Sequence, residues 1–311
     1  MSSGPIAVID VGSNSIKLLV ATRARDGEIT PLHFRTLDAR ISAGISHADP
    51  LLRPEGMARG VEAIRALLEE AKMQTPERVI LVATSAVRDA RNGAEFREHV
   101  RAATGHDVRI LSGDEEANLI GRGLTCDRSL QGLRDFYVFD LGGGSLECLA
   151  FRDRKIEQAV SLKLGCVRLM ERFVSEVAAP FSAAVKEAVA AHTRETFREQ
   201  DFLFRLPSGA VAVGTGGTIT TVRAILGARA GQTFAETRST ITVAELQELL
   251  AWLGELPLSE RKRVPGLPPA RADVFPTALT TFLTIAELGG FTAFQNSVYN
   301  LRYGLADEAL D

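Results

Sequence analysis

An internal duplication constrains the fold of this chain more than any other feature of its sequence. The segment GPIAVIDVGSNSIKLLVATRARDGEI begins at Gly4, and DFYVFDLGGGSLECLAFRDRKIEQ begins at Asp135. Each has the pattern of a strand that ends in Asp, a short turn, a second strand and a polar turn. Asp10 aligns with Asp140, and this offset of 130 holds along both segments. Two such hairpins, each opening a half of similar length, predict two similar domains.

The two aligned turns have the composition of phosphate-binding loops. Glycine lets main-chain N–H groups approach an anion closely, and successive N–H groups form a concave anion site. Asp10 and Asp140 end the strands and are candidate ligands of a divalent metal, directly or through water. The alternative is a pair of tight hairpins in which Gly and Asp serve geometry only. The candidate phosphate-binding residues are Gly12, Ser13, Asn14 and Ser15 in the first turn, and Gly142, Gly143, Gly144 and Ser145 in the second.

Strand-like and helix-like segments alternate along the rest of the chain. Residues 54–72 have the apolar spacing of an amphipathic helix with Pro near its start. Residues 93–104 are also helical in pattern, and Gly105 ends that helix. Alternation of this kind predicts an α/β fold with layered sheets. Further predicted elements are strands over 78–84 and 108–111, and helices over 182–200, 243–253, 276–288 and 299–310.

Composition limits the classes of partner. The net charge of −3 gives no general attraction to nucleic acid or anionic lipid, so an anionic ligand needs a local site. No stretch of about 18 apolar residues lacks charges, and the N-terminal segment has no signal-peptide pattern. Cys126, Cys148 and Cys166 show no CxxC spacing, which is typical of reduced thiols in a cytoplasmic protein. We expect a cytoplasmic protein that binds neither membranes nor nucleic acid.

The segment LSGDEEANLIGRG, residues 111–123, predicts the start of a helix. Ser112 and Glu115 have the spacing of a capping box. Glu116 then falls in the first turn, where the helix dipole favours its ionised form. An ionised carboxylate in a cleft can orient and deprotonate a water molecule. The alternative is that these acidic residues only stabilise the N-terminus of the helix.

Three more segments carry candidate site residues. ATSAVRDARN, residues 83–92, follows a strand and predicts a loop that places Arg88 and Arg91 where α/β proteins make ligand contacts. AVGTGGTITTV, residues 212–222, has the strand, glycine turn and helix pattern that presents N–H groups to phosphate, without a Rossmann or P-loop fingerprint. Ser297 and Arg302 surround a helix start near the C-terminus. The alternatives are an ordinary surface charge for Arg88 and Arg91 and close helix–sheet packing for the glycines. For Ser297 and Arg302 the alternative is capping and surface exposure.

Taken in this order, the segments resemble the exopolyphosphatase and guanosine pentaphosphate phosphohydrolase family. That family belongs to the acetate kinase, sugar kinase, Hsp70 and actin superfamily. The resemblance covers nearly the whole chain and is carried by DVGSNS, ATSAVRDARN, SGDEEA, DLGGGS, VGTGGT and LRYGL. It implies two actin-like (ribonuclease H-like) α/β domains with a cleft between them, over residues 1–125 and 126–311. The helix over about 299–311 is expected to pack back on the first domain, and a homodimer is expected from other members.

The resemblance also implies roles for individual residues. Glu116 matches the catalytic base of the family, and Arg88 matches its phosphate-contacting arginine. Asp140 matches an acidic residue associated with the metal, and Asp10 is expected to assist through water. The phosphate contacts implied are Gly12 to Ser15 with Lys17, Gly142 to Ser145, and the third turn of Gly214, Thr215, Gly216, Gly217 and Thr218.

Two departures from the family pattern bear on substrate contacts. Thr277 follows Pro276 where the family usually has glycine, and ARISAGI, residues 39–45, matches its usual segment only loosely. The chain also ends just after LRYGL, whereas long members continue into a helical domain that grips long polyphosphate. We therefore expect short polyphosphate chains to be preferred.

The resulting hypothesis is hydrolysis of the terminal phosphate of inorganic polyphosphate with Mg²⁺ or Mn²⁺. The glycine hairpins of the two halves are expected to face each other, with the Glu116 carboxylate aimed at the gap. Hydrolysis of pppGpp to ppGpp is the nearest alternative, and the sequence leaves both substrates open. An ATP-using kinase and a non-catalytic (p)ppGpp-binding protein are more distant alternatives.

Overall fold

The computed structural model describes residues 4–45 and 50–311, so the first three residues of the N-terminal segment lie outside it. The chain divides into two compact units, Met1–Gln131 with Tyr299–Asp311, and Gly132–Val298. The sequence placed the domain boundary near residue 125, and the structure places it after Gln131. The difference arises because the helix that ends at Thr125 is followed by a 3₁₀ turn, Arg128–Leu130, which buries Leu130.

The sheet of the first unit places several chain turns at one edge. Its strands lie in the order β3-β2-β1-β4-β5. β1 is antiparallel to β2, which is antiparallel to β3, and β4 and β5 run parallel to β1. The carboxyl ends of the parallel strands therefore meet at the edge that also carries the β1–β2 turn. The strands are β1 (Ile6–Val11), β2 (Ser15–Arg23), β3 (Ile29–Asp38), β4 (Arg78–Ala83) and β5 (Val108–Ile110).

Helices cover this sheet. The predictions for residues 54–72 and 93–104 are confirmed, and the second of these helices ends at Gly105, which has a φ of 74°. The C-terminal helix packs closely on the helix that carries Glu116, and a side chain would not fit at two glycines of this contact. A Cβ on Gly123 would overlap the carbonyl of Asn300, and one on Gly304 would overlap that of Leu119. The helices are α1 (Pro54–Lys72), α2 (Ser85–Asp89), α3 (Gly93–Thr104), α4 (Gly113–Thr125) and, at the C-terminus, α11 (Leu301–Leu310).

The sheet of the second unit repeats the plan of the first. Its strands lie in the order β10-β11-β9-β6-β7-β8. An antiparallel meander, β6-β7-β8, corresponds to β1-β2-β3, and the parallel neighbour β9 corresponds to β4. The predicted α/β duplication is confirmed. The strands are β6 (Phe136–Leu141), β7 (Leu146–Arg152), β8 (Lys155–Leu162), β9 (Val211–Thr215), β10 (Thr240–Thr242) and β11 (Ala293–Asn296).

The helices of the second unit enclose an aromatic core. The rings of Tyr137, Phe139, Phe204 and Phe291 lie within contact distance of one another. The helices predicted over 182–200, 243–253 and 276–288 are present with small shifts at their ends. None of the helices in the described part of the chain combines the length and apolarity needed to cross a bilayer. The helices are α5 (Cys166–Phe173), α6 (Ala183–Glu199), α7 (Gly216–Arg229), α8 (Val243–Glu255), α9 (Leu258–Arg261) and α10 (Phe275–Gly289).

Candidate active site

The first glycine turn is braced by the segment that follows β3. Gly12 N donates a hydrogen bond to Ser15 O at 3.2 Å and closes the turn. Ser13 O accepts hydrogen bonds from both the backbone N and the hydroxyl of Ser42, at 3.3 and 3.1 Å. The loosely matching segment, residues 39–45, therefore holds the turn in place from outside, which leaves its N–H side for a ligand.

Asn14 presents a second kind of donor in this turn. Its Oδ1 accepts a hydrogen bond from Arg40 Nε at 3.0 Å, and its backbone O accepts one from Arg40 N at 2.9 Å. Arg40 has a φ of 40°, in the left-handed region. Asn14 is 6% exposed, and its Nδ2 has no partner among the described residues. Because a buried amide donor normally has a partner, this Nδ2 fits a ligand oxygen.

Arg88 lies on the short helix α2, and the prediction that it lies in a loop is wrong. The carbonyl of Thr84 accepts hydrogen bonds from Val87 N and Arg88 N, at 3.1 and 3.0 Å, which closes one helical turn. A single turn is too short to show an apolar period in the sequence. Arg91 follows the end of this helix.

Arg88 and Glu116 form a direct ion pair. Arg88 Nη1 donates to Glu116 Oε2 at 2.7 Å and to the carbonyl of Leu111 at 3.1 Å. Glu116 is 6% exposed. A short, charge-assisted hydrogen bond of this kind fixes the direction of both groups. The two side chains are therefore held in a fixed relative position.

The capping box at the start of α4 separates the roles of two neighbouring acids. Ser112 Oγ accepts from Glu115 N at 3.1 Å, and Ser112 N donates to Glu115 Oε2 at 2.8 Å, which confirms the predicted cap. A hydrogen bond from Arg109, supported by Ser112, lowers the pKa of Glu115 to about 2. The Glu115 side chain is 44% exposed and that of Glu116 is 8% exposed. Glu115 serves the helix cap, and Glu116 is the acid that points inward.

The structure brings the first turn and the ion pair together. The hydroxyl oxygens of Ser13 and Ser85 are 3.2 Å apart, within hydrogen-bond distance. Ser85 begins α2, which carries Arg88 in its last turn. The first turn, Arg88 and Glu116 therefore form one connected half-site at the carboxyl end of the sheet.

Lys17 and Asp10 face each other across the first hairpin. They are register partners of β2 and β1, and Lys17 Nζ lies 3.8 Å from Asp10 Oδ2. An ammonium group at this distance offsets the charge of the carboxylate. Asp10 is for that reason a weaker candidate for direct metal coordination than the sequence suggested.

The second glycine turn repeats the geometry of the first. Gly142 N donates to Ser145 O at 3.0 Å. The N-terminus of α5 braces it, because Cys166 N donates to Gly142 O at 3.0 Å and Val167 N donates to Gly143 O at 2.9 Å. As in the first half, the carbonyls of the turn bind the protein, and its N–H side is left for a ligand.

Two carboxylates share the second hairpin. Asp140 and Glu147 are register partners of β6 and β7, so their side chains lie on the same face of the sheet. Glu147 is 2% exposed, and its Oε1 accepts a hydrogen bond from Ser161 Oγ at 2.8 Å. The sequence reasoning missed Glu147, although it stands 130 positions after Lys17. The duplicated position thus carries a cation in one half and an anion in the other.

This carboxylate pair fits a Mg²⁺ or Mn²⁺ ion. Mg²⁺ is usually held by one or two carboxylates together with water and substrate phosphate oxygens. No cluster of three or more His, Cys, Asp or Glu side chains suited to a metal occurs in residues 4–45 and 50–311. An ion held by Asp140 and Glu147 would need its remaining ligands from water and substrate.

The third glycine turn lies against Asp140. Gly216 has a φ of 80°, and a Cβ at this position would overlap Oδ1 of Asp140. Gly216 therefore allows the carboxylate to lie at the N-terminus of α7. Two further residues of this turn bind the protein: Gly214 O accepts from Ser297 N at 3.0 Å, and Thr218 Oγ1 donates to Leu141 O at 3.4 Å.

Arg271 is a second residue that sequence reasoning did not place in the site. A Cβ on Gly217 would overlap the Arg271 guanidinium, which therefore lies over the first turn of α7. It is half-buried and makes no side-chain hydrogen bond or ion pair with the described residues. Arg271 and Gly217 are far apart in the sequence, so no local pattern could have paired them.

Thr277 lies in the core and supports the second turn from behind. It is fully buried, and its Oγ1 donates to the carbonyls of Cys166 at 3.1 Å and Val274 at 2.7 Å. Cys166 is the first residue of α5, whose backbone N binds Gly142. The residue that replaces the family glycine thus ties α10 to the brace of the second turn.

Thr277→Val is expected to lower the free energy of unfolding by about 1–3 kcal/mol, because it removes a buried donor without changing the shape of the side chain. Urea unfolding measures this change. Steady-state kinetics with inorganic polyphosphate, the substrate that the sequence predicts, should show a raised KM. Thr284→Val is the matched control, since Thr284 donates only within α10, to Thr280 O at 2.9 Å. Equal KM values for the two variants would show that Thr277 does not position the turn.

Comparison with known proteins identifies the family of this chain. The model of the Ppx/GppA phosphatase family matches the chain over residues 19–311. The chain belongs to this family. Family membership makes it a phosphohydrolase, as the sequence predicted at this coarser level.

Solved structures of the family share the fold. The Aquifex aeolicus PPX-GPPA enzyme is 24% identical, with a TM-score of 0.78 over 98% of this chain and 99% of that chain. An exopolyphosphatase from Cytophaga hutchinsonii is 23% identical, with a TM-score of 0.88 over 99% of this chain and 98% of that chain. An exopolyphosphatase-like protein is 23% identical, with a TM-score of 0.84 over 97% of each chain. The predicted actin-like fold of the Ppx/GppA family is confirmed.

Proposed function

We propose that this Ppx/GppA phosphatase releases the terminal phosphate of inorganic polyphosphate, with a preference for short chains. The observation that supports this most is shared by the two hairpin turns. The backbone N–H groups of Ser13 and Asn14, and those of Gly143 and Gly144, donate to no group within the described residues. Paired N–H groups at a tight turn bind an oxyanion. Two such turns suit a ligand that carries more than one phosphate.

Glu116 and Arg88 supply the chemistry of the first half-site. Glu116 orients a water molecule and accepts its proton as the oxygen attacks the terminal phosphorus. The bond between that phosphorus and the bridging oxygen breaks, and the shortened chain leaves. Arg88 stabilises the charge on the equatorial oxygens of the loosened phosphoryl group. The 2.7 Å hydrogen bond between the two residues sets their relative position before substrate binds.

Asp140 and Glu147 would hold the divalent metal in the second half-site. A bound Mg²⁺ or Mn²⁺ ion neutralises charge on phosphate oxygens and on the leaving group. Arg271, whose guanidinium lies against Gly217, adds a positive group at the first turn of α7. The hypothesis that both half-sites serve one substrate chain stays a prediction of the sequence duplication.

The test is phosphate release from short polyphosphate, long polyphosphate and pppGpp, each with Mg²⁺ and with EDTA. Short polyphosphate is expected to give the highest kcat/KM, and EDTA is expected to abolish release until Mg²⁺ is restored. A higher kcat/KM for pppGpp would assign the alternative substrate. Tight binding of ppGpp without release from any of the three would instead support a non-catalytic protein.

A Mg²⁺ titration of two variants tests the metal assignment. Asp140→Asn should raise the Mg²⁺ concentration for half-maximal activity by about tenfold or more, the size of effect seen when metal ligation is perturbed. Asp10→Asn should change it less, because Lys17 already compensates Asp10. Equal shifts for the two variants would contradict the assignment of the metal to the second hairpin.

A further inference from the structure

A groove on the first unit lies at the opposite end of β4 from the Arg88–Glu116 pair. Its volume is about 970 Å³, within the range of ligand pockets. It forms because β5 is short and pairs only with Leu81–Ala83 of β4. Arg78–Ile80 have a strand neighbour, β1, on one side only within the described residues. The groove therefore contains an open strand edge.

Arginines surround this edge. Arg78, Arg97, Arg101 and Arg109 line the groove together with Asp107 and Glu308. Arg101 Nε lies 3.7 Å from Asp107 Oδ1, and Arg109 Nη1 lies 3.9 Å from Glu308 Oε2. Arg78 and Arg97 are exposed, and their side chains make no hydrogen bond or ion pair in the described part of the chain. Two positive charges are left uncompensated beside the open edge.

Apolar side chains complete the groove. Val79 and Ile80 are half-buried in β4, and Ala309 is half-buried on α11 where that helix lines the groove. A ligand in the groove can therefore make apolar contacts as well as ion pairs. An extended peptide does so, because its side chains alternate between two faces.

We propose that this groove binds an extended acidic peptide segment of a partner protein, which adds as a strand along Arg78–Ile80 and pairs its carboxylates with Arg78 and Arg97. An open strand edge binds such a segment through main-chain hydrogen bonds, and the flanking side chains select it. Asp107 and Glu308 oppose a polyphosphate chain, which carries charge at every unit. The six charged residues that line the groove have a net charge of +2. A peptide with carboxylates at alternate residues can balance this charge with two of them.

The experiment titrates the full chain into three fluorescein-labelled octapeptides and follows their anisotropy. The first alternates Glu and Val, the second alternates Lys and Val, and the third is the Glu–Val peptide with alternate backbone nitrogens methylated. Only the first is expected to bind. Arg78→Gln/Arg97→Gln should weaken its binding by about tenfold or more, equivalent to about 1.4 kcal/mol. Arg198→Gln, an exposed arginine of the second unit, is the control and should leave binding unchanged.

Several results would overturn the proposal. If the methylated peptide bound as tightly as the unmethylated Glu–Val peptide, recognition would depend on charge alone and not on strand pairing. Equal binding by the double variant, or binding of none of the peptides, would remove the groove as a peptide site. Displacement of the peptide by inorganic polyphosphate would make the groove a polyanion site. A dimer in sedimentation velocity that the double variant dissociates would make it an interface between copies of the chain.

Discussion

Glu116→Gln is expected to lower kcat for phosphate release by about two to four orders of magnitude, the usual contribution of a general base. The amide keeps the shape of the side chain and can still accept a hydrogen bond from Arg88, but it cannot take the proton of the attacking water. Because the phosphate-binding turns are unchanged, KM should change little. Phosphate release from saturating short polyphosphate measures the loss.

The neighbouring acid provides the control for this prediction. Glu115→Gln should retain most of the activity, since Glu115 is bound to Ser112 and Arg109 at the helix cap. Its main effect should be on stability at neutral pH. The folded state lowers the pKa of Glu115 to about 2, so its stabilising contribution is present above the pKa of the unfolded chain and is lost as pH falls towards 2. Similar kcat values for the two variants would remove Glu116 from the role of base.

Features encoded by local interactions were predicted from the sequence. The capping pair Ser112 and Glu115 gave the start of α4, and the apolar period gave α1 at its observed ends. Both hairpin turns followed from the repeated Asp-x-Gly pattern. In each case the residues that form the structure lie within a few positions of one another, so the sequence carries the whole signal.

The parts that the sequence did not provide depend on register and on distant packing. The contact between Gly217 and Arg271 joins α7 to a segment that lies far along the chain from it. Glu147 enters the site only because β6 and β7 pair Asp140 with it. The helical turn that carries Arg88 rests on two hydrogen bonds to Thr84, which leave no period in the sequence.

The duplicated hairpins have the same backbone and opposite chemistry. Both turns close with one hydrogen bond and leave adjacent N–H groups without a partner in the described residues. At the register partner of the strand-ending Asp, the first hairpin has Lys17 and the second has Glu147. Under the proposed function, the first hairpin binds an anion alone, and the second binds an anion together with a metal. The duplicated unit would thus serve two different binding roles.

Gly165→Ala is expected to lower kcat/KM by about tenfold or more, with a loss of about 1–3 kcal/mol in the free energy of unfolding from overpacking. Gly165 caps α5 with a φ of −62°, so alanine meets no backbone strain there. Its Cβ would, however, overlap the backbone of Gly143 and Gly144. Backbone atoms cannot move aside as a flexible side chain does. The second turn must therefore shift, and its N–H groups no longer point at the bound phosphate.

Steady-state kinetics and urea unfolding of the same protein separate the two effects of Gly165→Ala. Gly132→Ala is the matched control, because nothing lies within 4 Å of a Cβ at that position and its φ is not positive. It should keep full activity and unfold at the same or a slightly higher urea concentration, since alanine restricts the unfolded chain. If Gly165→Ala loses stability but keeps its KM for short polyphosphate, the N–H groups of Gly143 and Gly144 do not bind substrate, and the phosphate-binding role of the second turn must be abandoned.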